Sequence, residues 1–463
     1  MEKITKSTTR DIIDNFVNEI ERTKRPGPKP AKAVIDFRNE MADGIERDVW
    51  HVPIELLRYR KDNGRICSDV ESYERYNGKL KEESQKAQTI IRDFLKEKDP
   101  EKTEDLMRTI RHAGQRDPAI VTCDGFLING NRRKMVLEML KEEGVDTMKV
   151  VILPGKNDPG GPPTLLEIEE IENRYQLQSD GKAEYSNFDK ALSIRRKVNL
   201  GMTLRRQLKD DPVYSRCSDK ELERVIKQYE DNYLKPLECI DRYLEQLGRP
   251  RIYNSIATGL GDREGRWQAF LDYYNFVYKQ LEDQKKRLKL GVREDEVGNI
   301  EEVAFKIIRK REFPDLPKVH KIMRDFTKWL ANKDSRKELL KIRNIELTLP
   351  IKDCLEEDGK ECDERRKDKI WGRKHATDII RQVKKAKDHF EYKKERETPL
   401  SLLMAALRKL NHENMDPAAL SIGDYSKAMK IAKAIQERAD ELENEFYHHQ
   451  KNAKKLKDKF HGK

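Results

Sequence analysis

Three short runs in this chain carry the residue types that hold phosphate. Gly130-Asn-Arg-Arg133 lies where a turn meets an amphipathic stretch. Gly130 allows close backbone approach to a ligand. Asn131 and the amides after it would open a helix, whose unpaired N–H groups and dipole favour an anion. Arg132 and Arg133 add guanidinium donors matched to phosphate oxygens. Gly114-Gln-Arg-Asp-Pro118 brings Gly114, Gln115 and Arg116 just ahead of a strand-like run. Glu172-Asn-Arg-Tyr-Gln-Leu177 sets Glu172 and Asn173 beside Arg174, and such hard oxygen donors suit a Mg²⁺ that bridges phosphates. The plainer readings are an arginine pair on a solvated first turn and, at Glu172, a surface acid on a helix already rich in Glu.

In order and spacing the three runs resemble the nucleotide-binding boxes of the ParB N-terminal, sulfiredoxin-like family. Gly130-Asn-Arg-Arg133 is similar to its Gly-Glu-Arg-Arg box, and Glu172-Asn-Arg-Tyr-Gln-Leu177 to its Glu-Asn-(Leu)-Gln-Arg box. The resemblance covers residues 46–200. It implies an α+β fold, with a small ParB/sulfiredoxin-like mixed α/β domain followed by mostly α-helical domains. It also implies a DNA-binding protein whose DNA association is gated by a nucleoside triphosphate, CTP or ATP, with Mg²⁺. Gly114, Gln115, Arg116, Gly130, Asn131, Arg132, Arg133 and Arg174 would hold the nucleotide, and Glu172 and Asn173 the metal. Relatives in that family also cleave DNA or transfer phosphate. The enzymatic alternative is therefore an NTPase, nuclease or phosphotransferase, with Glu167, Glu169, Glu170 and Glu172 as the acids a catalytic metal would need. A non-catalytic helical scaffold with a decayed nucleotide site is the third reading. Asn131 stands where the family carries Glu, which bears on hydrolysis more than on binding. Sulfiredoxin chemistry needs a cysteine at that turn, and no G-x-x-x-x-G-K-[ST] run marks a P-loop.

The elements that must position these residues can be read from periodicity and turn chemistry. Residues 10–22 space their apolar residues as a helix does. The stretch 23–32 holds three prolines and a glycine, reads as an extended linker, and carries Lys24, Arg25 and Lys29 as candidate DNA contacts. The segment 46–155 reads as the mixed domain. It begins with a short strand at Val52-Pro-Ile54, and residues 67–84 look like a polar insertion. Leu106, Met107 and Ile110 mark a helix that Gly114 would close. Ala119 to Cys123, a turn at Asp124-Gly125 and Phe126 to Ile128 read as a hairpin. Its exit leads into a helix carrying Met135, Val136, Met139 and Leu140, and Met148 to Leu153 supply a further strand. Thr164 to Glu167 form a capping box.

Beyond that point the chain reads as helix, in a domain at 156–290 and a charged one at 291–463. Segments 187–199, 219–247 and 265–288 are amphipathic. Ile345 to Leu349 is the remaining strand candidate. Helices over 218–229 and 232–247 could form a degenerate helix-turn-helix, and Arg205, Arg206, Arg224 and Lys227 are candidate DNA contacts there. The aromatics from Tyr229 to Tyr278 read as core before they read as a base-stacking platform. Thr398 and Pro399 suit the start of a helix over 399–410. That helix and one over 424–450 could pair with a second copy or with each other.

Composition sets the outer bounds. Lys and Arg number 96 against 85 Asp and Glu, a net charge of +11, which favours a polyanionic partner such as DNA. Charged residues reach 39%, above the roughly 25% usual in a globular domain, so long solvent-covered helices are expected. No apolar run is long enough for a membrane span, and no signal peptide is read at the N-terminus. Six scattered cysteines without a CxxC point to reduced thiols and a cytoplasmic protein.

Overall fold

A computed structural model describes residues 8–98, 100–177, 186–211, 213–256, 266–356 and 361–461. Two compact units divide the chain, residues 1–390 and 391–463.

The first unit is built on five strands: β1 (Arg25–Val34), β2 (Glu46–Pro53), β3 (Ala119–Val121), β4 (Leu127–Asn129) and β5 (Thr147–Ile152). Their order is β1-β2-β5-β3-β4, antiparallel except where β5 runs parallel to β3. Alternation along β3 divides the core. Ala119 and Val121 join Val52, Leu127, Met148 and Val150 on one face. Ile120 joins Val49, Ile128 and Val151 on the other. Preceding helix α1 (Asp14–Thr23) lies ahead of the sheet in sequence. The helices α2 (Cys67–Asn77), α3 (Gln85–Glu97), α4 (Pro100–Ala113) and α5 (Asn131–Met139) cover the first face through Val70, Ile91, Ile110 and Val136. Helix α6 (Leu165–Leu177) covers the second through Ile168 and Ile171.

This mixed α/β architecture agrees with the α+β expectation in its coarse form, and several local expectations are corrected. The Pro-rich segment is no linker. It is the edge strand β1: Pro26 stands opposite Trp50, and a bulge between Pro26 and Ala31 takes up Pro28 and Pro30, where no ladder N–H is needed. The supposed polar insertion holds α2, whose inward face is partly polar: Ser68 and Ser72 are buried and hydrogen-bonded. Ile345 to Leu349 forms no strand. Its carbonyls serve side chains instead, with Trp371 Nε1 donating to Glu346 O at 2.8 Å and Arg309 Nη1 to Leu347 O at 2.6 Å. Asp124 does more than turn the hairpin. It is fully buried, and it accepts from Arg10 Nη1 at 2.8 Å, Ile13 N at 3.2 Å and Thr122 Oγ1 at 2.7 Å, so it anchors the N-terminal segment.

The remainder of the first unit is helical. It runs through α7 (Asn187–Asn199), α8 (Leu204–Lys209), α9 (Asp219–Tyr229), α10 (Lys235–Gln246), α11 (Trp267–Asp272), α12 (Lys279–Glu282) and α13 (Gln284–Lys289). It continues with α14 (Val297–Lys310), α15 (Val319–Ala331), α16 (Lys333–Leu340), α17 (Glu364–Lys374) and α18 (Ala376–Leu410), whose residues from 391 on belong to the second unit. A π-helical turn at Glu230–Leu234 joins α9 to α10 without a break, so the expected helix-turn-helix pair is one continuous run with no turn in it. Of the aromatic set, Tyr243, Tyr253, Trp267, Tyr273 and Tyr274 are buried in one cluster, as read, whereas Tyr229, Tyr233 and Tyr278 are half-buried and Phe276 is exposed. Helix α18 passes through Pro399, so Thr398 caps nothing and bonds Lys394 O through its hydroxyl instead. The second unit ends in α19 (Tyr425–His461). No helix among the described residues is long and apolar enough to cross a membrane.

One carboxylate organises the helical core. Asp368 of α17 is buried and receives Arg249 Nη1 and Arg309 Nε at 2.9 Å each, while Arg266 Nη1 sits 2.9 Å from its second oxygen. Burial pushes its pKa up, but the three guanidiniums outweigh burial and hold it below 3.8. Replacement by Asn strands three buried cations. Asp368→Asn is expected to cost roughly 3–5 kcal/mol in urea unfolding. A carboxylate with a depressed folded pKa contributes stability above its unfolded value and loses it as pH falls through the folded one. The acid-side loss of stability should therefore be shallower in the variant than in wild type.

Candidate functional site

The first two runs meet. Arg133 donates to Asp117 O through Nη1, to Pro118 O at 3.2 Å and, through Nη2, to Asn129 Oδ1 at 3.1 Å. Its charge therefore buttresses the turn that leads into β3, and burial lowers its pKa. Gln115 is buried, and its side-chain amide imitates a strand residue. It accepts from Lys149 N at 2.8 Å and donates to Lys149 O at 2.8 Å and Asp117 O at 2.9 Å, which extends the β3 side of β5. Gly114 closes α4 at φ +68°, as a C′ glycine should. Arg116 is exposed and Arg132 half-buried at the same corner.

Gly130 is required by packing. At φ +101° it precedes α5, and a Cβ there would come 2.7 Å from Ala119 Cβ. No side chain caps α5. Asn131 is 4% exposed, and its Oδ1 finds no hydrogen-bond donor among the described residues. This is the one buried polar group of the three runs left unsatisfied at the corner, and such groups call for an explanation.

The third run is split by the helical period. One face of α6 turns toward this corner. Tyr175 packs near Arg133 and Asp36, and Arg174 Nη1 donates to Asp36 Oδ1 at 2.8 Å. Asp36, Arg38, Glu167, Glu170, Arg174 and Arg206 line a polar cleft of about 510 Å³ beside it. Each acid there meets an arginine: Glu167 takes Arg38 Nε at 2.7 Å, and Arg206 Nη2 lies 2.5 Å from Glu170. Sequence reasoning missed Arg38. Its left-handed backbone (φ +48°) carries no sequence signal in an arginine.

Glu172 lies about 200° round α6 from Arg174, in a buried charge cluster, and Asn173 lies between them, its amide nitrogen 3.4 Å from the Asp210 carboxylate that Arg174 also approaches. Glu172 pairs with Arg60 Nη2, accepts from Gly64 N at 2.9 Å and lies 3.6 Å from Arg196 Nη2. Glu169 receives Arg60 at 3.3 Å and Arg196 at 2.6 Å. Asn173 accepts from Lys197 Nζ at 3.0 Å and donates to Gln207 O at 3.2 Å. Burial pushes the Glu172 pKa up, but Arg60 and Arg196 bring it below the ordinary value, and Glu169 is left raised. In this arrangement the side-chain oxygens of Glu172 and Asn173, expected to face Mg²⁺, are engaged by Arg60, Arg196 and Lys197. Among the described residues no group of three or more His, Cys, Asp or Glu is arranged to hold a metal ion. The acids of α6 are spent pairwise on arginines.

The candidate DNA contacts divide in the same way. Lys24 pairs with Glu21 at 2.6 Å and stands 4.6 Å over the Trp50 ring. Arg205 is held by Asp219 and Glu223, and Arg206 by Glu170. Arg25, Lys29, Arg224 and Lys227 are exposed, and Lys220 falls on the same face of α9 as the last two. Tyr229 and Tyr233 have ring centroids 5.3 Å apart, with the Lys190 ammonium 5.4 and 5.0 Å from them.

Compared with protein families, with curated proteins and with solved structures, the chain matches none.

Two substitutions separate packing from ligand binding. Gly130→Ala is expected to cost roughly 1–3 kcal/mol, by left-handed strain and the clash with Ala119, read as a lower urea midpoint. Glu172→Gln is expected to lower that midpoint too, by stranding Arg60 beside Arg196. Added Mg²⁺ should shift neither wild type nor variant, and a Mg²⁺-dependent rise confined to wild type would contradict the structural role.

Proposed function

We propose that the chain is a DNA-associated protein whose binding to DNA responds to a nucleoside triphosphate, CTP or ATP, seated at the corner formed by Arg116, Asn131, Arg132 and Arg174. The observation that supports this reading is the unpaired, buried Asn131 oxygen at the uncapped start of α5, where the runs 114–118 and 130–133 meet. A helix N-terminus with arginines beside it favours a phosphate group. Mg²⁺ would arrive as the counter-ion of the nucleotide, not on Glu172 and Asn173. DNA would lie along the exposed cations of α9, Arg224 and Lys227, and along Arg25 and Lys29 of β1.

A specific observation favours a second reading, the scaffold with a decayed nucleotide site. Arg133, Glu172 and Asn173 are all spent on internal bonds. Calorimetric titration of CTP and of ATP, each with Mg²⁺, decides between the two. Binding to wild type that falls at least tenfold in Arg116→Ala/Arg132→Ala supports the nucleotide site. Absence of binding to folded wild type leaves the scaffold. For DNA, Arg224→Glu/Lys227→Glu should weaken duplex binding in fluorescence anisotropy. It should also flatten the salt dependence, by roughly one unit of slope for each phosphate no longer neutralised.

The proposed homodimer draws on the second unit. None of its described side chains is buried, and Ile431, Ile435 and Phe446 of α19 are exposed along one stripe. Helices in proteins draw most of their stability from packing an amphipathic face, and no described side chain of this one is buried. Lys427, Lys430 and Lys433 precede an acidic turn from Glu437 to Glu445, so an antiparallel second copy would set basic against acidic blocks. Sedimentation of the full chain should show a dimer that Ile431→Asp/Ile435→Asp converts to monomer with unchanged circular dichroism. A wild-type monomer at tens of micromolar would dismiss this partner.

A further inference from the structure

We propose that Cys354 and Cys362 form a dithiol–disulfide pair, a redox modification site set beside an antiparallel bridge. Leu355 and Glu361 are bridged antiparallel, so the residues one step outward, Cys354 and Cys362, face each other. Cys362 N donates to Cys354 O at 2.6 Å, so one backbone hydrogen bond joins the two residues beside that bridge. Backbones paired at strand separation have Cα atoms roughly 4.5–5.5 Å apart. A disulfide spans Cα separations of roughly 4.4–6.8 Å, so the backbone already holds the two thiols at bonding range.

The surroundings fit a protected pair. Both cysteines are free and buried, while Leu355, Glu356 and Glu361 beside them are exposed, so the sulfurs lie just behind solvent-facing residues. A zinc site would need two more ligands, and no such group assembles among the described residues. Burial raises the Cys354 pKa, with the nearby Lys367 ammonium opposing it, so the first exchange should be slower than at an exposed thiol.

The chemistry is thiol–disulfide exchange with a low-molecular-weight disulfide as oxidant. One cysteine thiolate attacks a sulfur of that disulfide, whose S–S bond breaks and releases one small thiol. The second cysteine, as thiolate, attacks the protein sulfur of the mixed disulfide and expels the second small thiol. Two electrons pass from the cysteine pair to the small disulfide, and the two thiol protons end on the released thiols. Closure would pin the start of α17, because Cys362 directly precedes Asp363, whose side chain accepts from Arg366 N at 2.7 Å and caps that helix. That helix also carries Asp368.

The test equilibrates the full chain in glutathione buffers of stepped oxidised-to-reduced ratio, followed by acid quench, alkylation and peptide mass spectrometry. A 354–362 cross-link lighter by two hydrogens should rise with that ratio while Cys67 and Cys239 stay alkylated as thiols. Thermal midpoint should rise on oxidation of wild type and stay fixed in Cys354→Ser/Cys362→Ser. Cys362→Ser alone should trap a glutathione adduct on Cys354. The proposal is overturned if folded wild type shows no cross-link across the series. Stoichiometric zinc that shields both thiols from alkylation would overturn it as well.

Discussion

The buried charge cluster of Arg60, Glu169, Glu172 and Arg196 is the constraint on which the first unit depends. Arg60 and Glu172 are 112 positions apart in the chain and both almost fully buried. The cluster ties the segment after β2 to α6, and α6 to α7 through Arg196 and Lys197. Buried pairs of this kind add little net stability over an apolar core, because desolvation offsets the attraction, yet removing one partner is costly. Their effect is selective. An arrangement of β2, α6 and α7 that failed to bring these charges together would leave an ion unpaired in a medium that cannot solvate it. Asp368 with its three arginines imposes the same condition on α14, α17, the segment after α10 that carries Arg249, and Arg266 at the start of α11.

This explains which parts of the molecule are legible in the sequence. The hairpin from Ala119 to Asn129, the closure of α4 at Gly114 and the helix after Gly130 follow from local turn chemistry and spacing. Their type is readable from the residues, although the paired strands are shorter than their apolar runs. The edge strand β1 is not legible, because its prolines argue against a ladder until the bulge that accommodates them is known. The inward-facing serines of α2 likewise look polar until their buried partners appear.

The partner of a charge is the hardest thing to read. Glu172-Asn173-Arg174 is one run in the sequence, but successive helix positions differ by 100°, so the run faces two environments. Glu172 and Asn173 turn to Arg60, Arg196 and Lys197, and Arg174 turns to Asp36. A motif whose members were expected to converge on a ligand is thus divided by the period of the helix that bears it. Only knowledge of what packs on each side, which lies more than a hundred residues away for Arg60 and Asp36, could have shown this.

The division also shapes what a ligand at the corner could do under the proposed reading. A ligand shifts a conformational balance only through contacts that differ between the two states. The corner touches α6 through Arg174 and Tyr175, and the back of the same helix is locked into the charge cluster with α7 and, through Asn173, to the carbonyl of Gln207 in α8. Sliding α6 would cost buried ion pairs. A small rotation about its axis would keep the cluster and move Arg174 between Asp36 and Asp210, whose carboxylate lies 3.6 Å from Arg174 Nε. The arginine with three acidic neighbours, Glu170 at 4.0 Å among them, is therefore the point of least resistance on α6. A phosphate competing for Arg174 would act on Asp210, which ends α8, and on the segment after it, ahead of the exposed cations of α9.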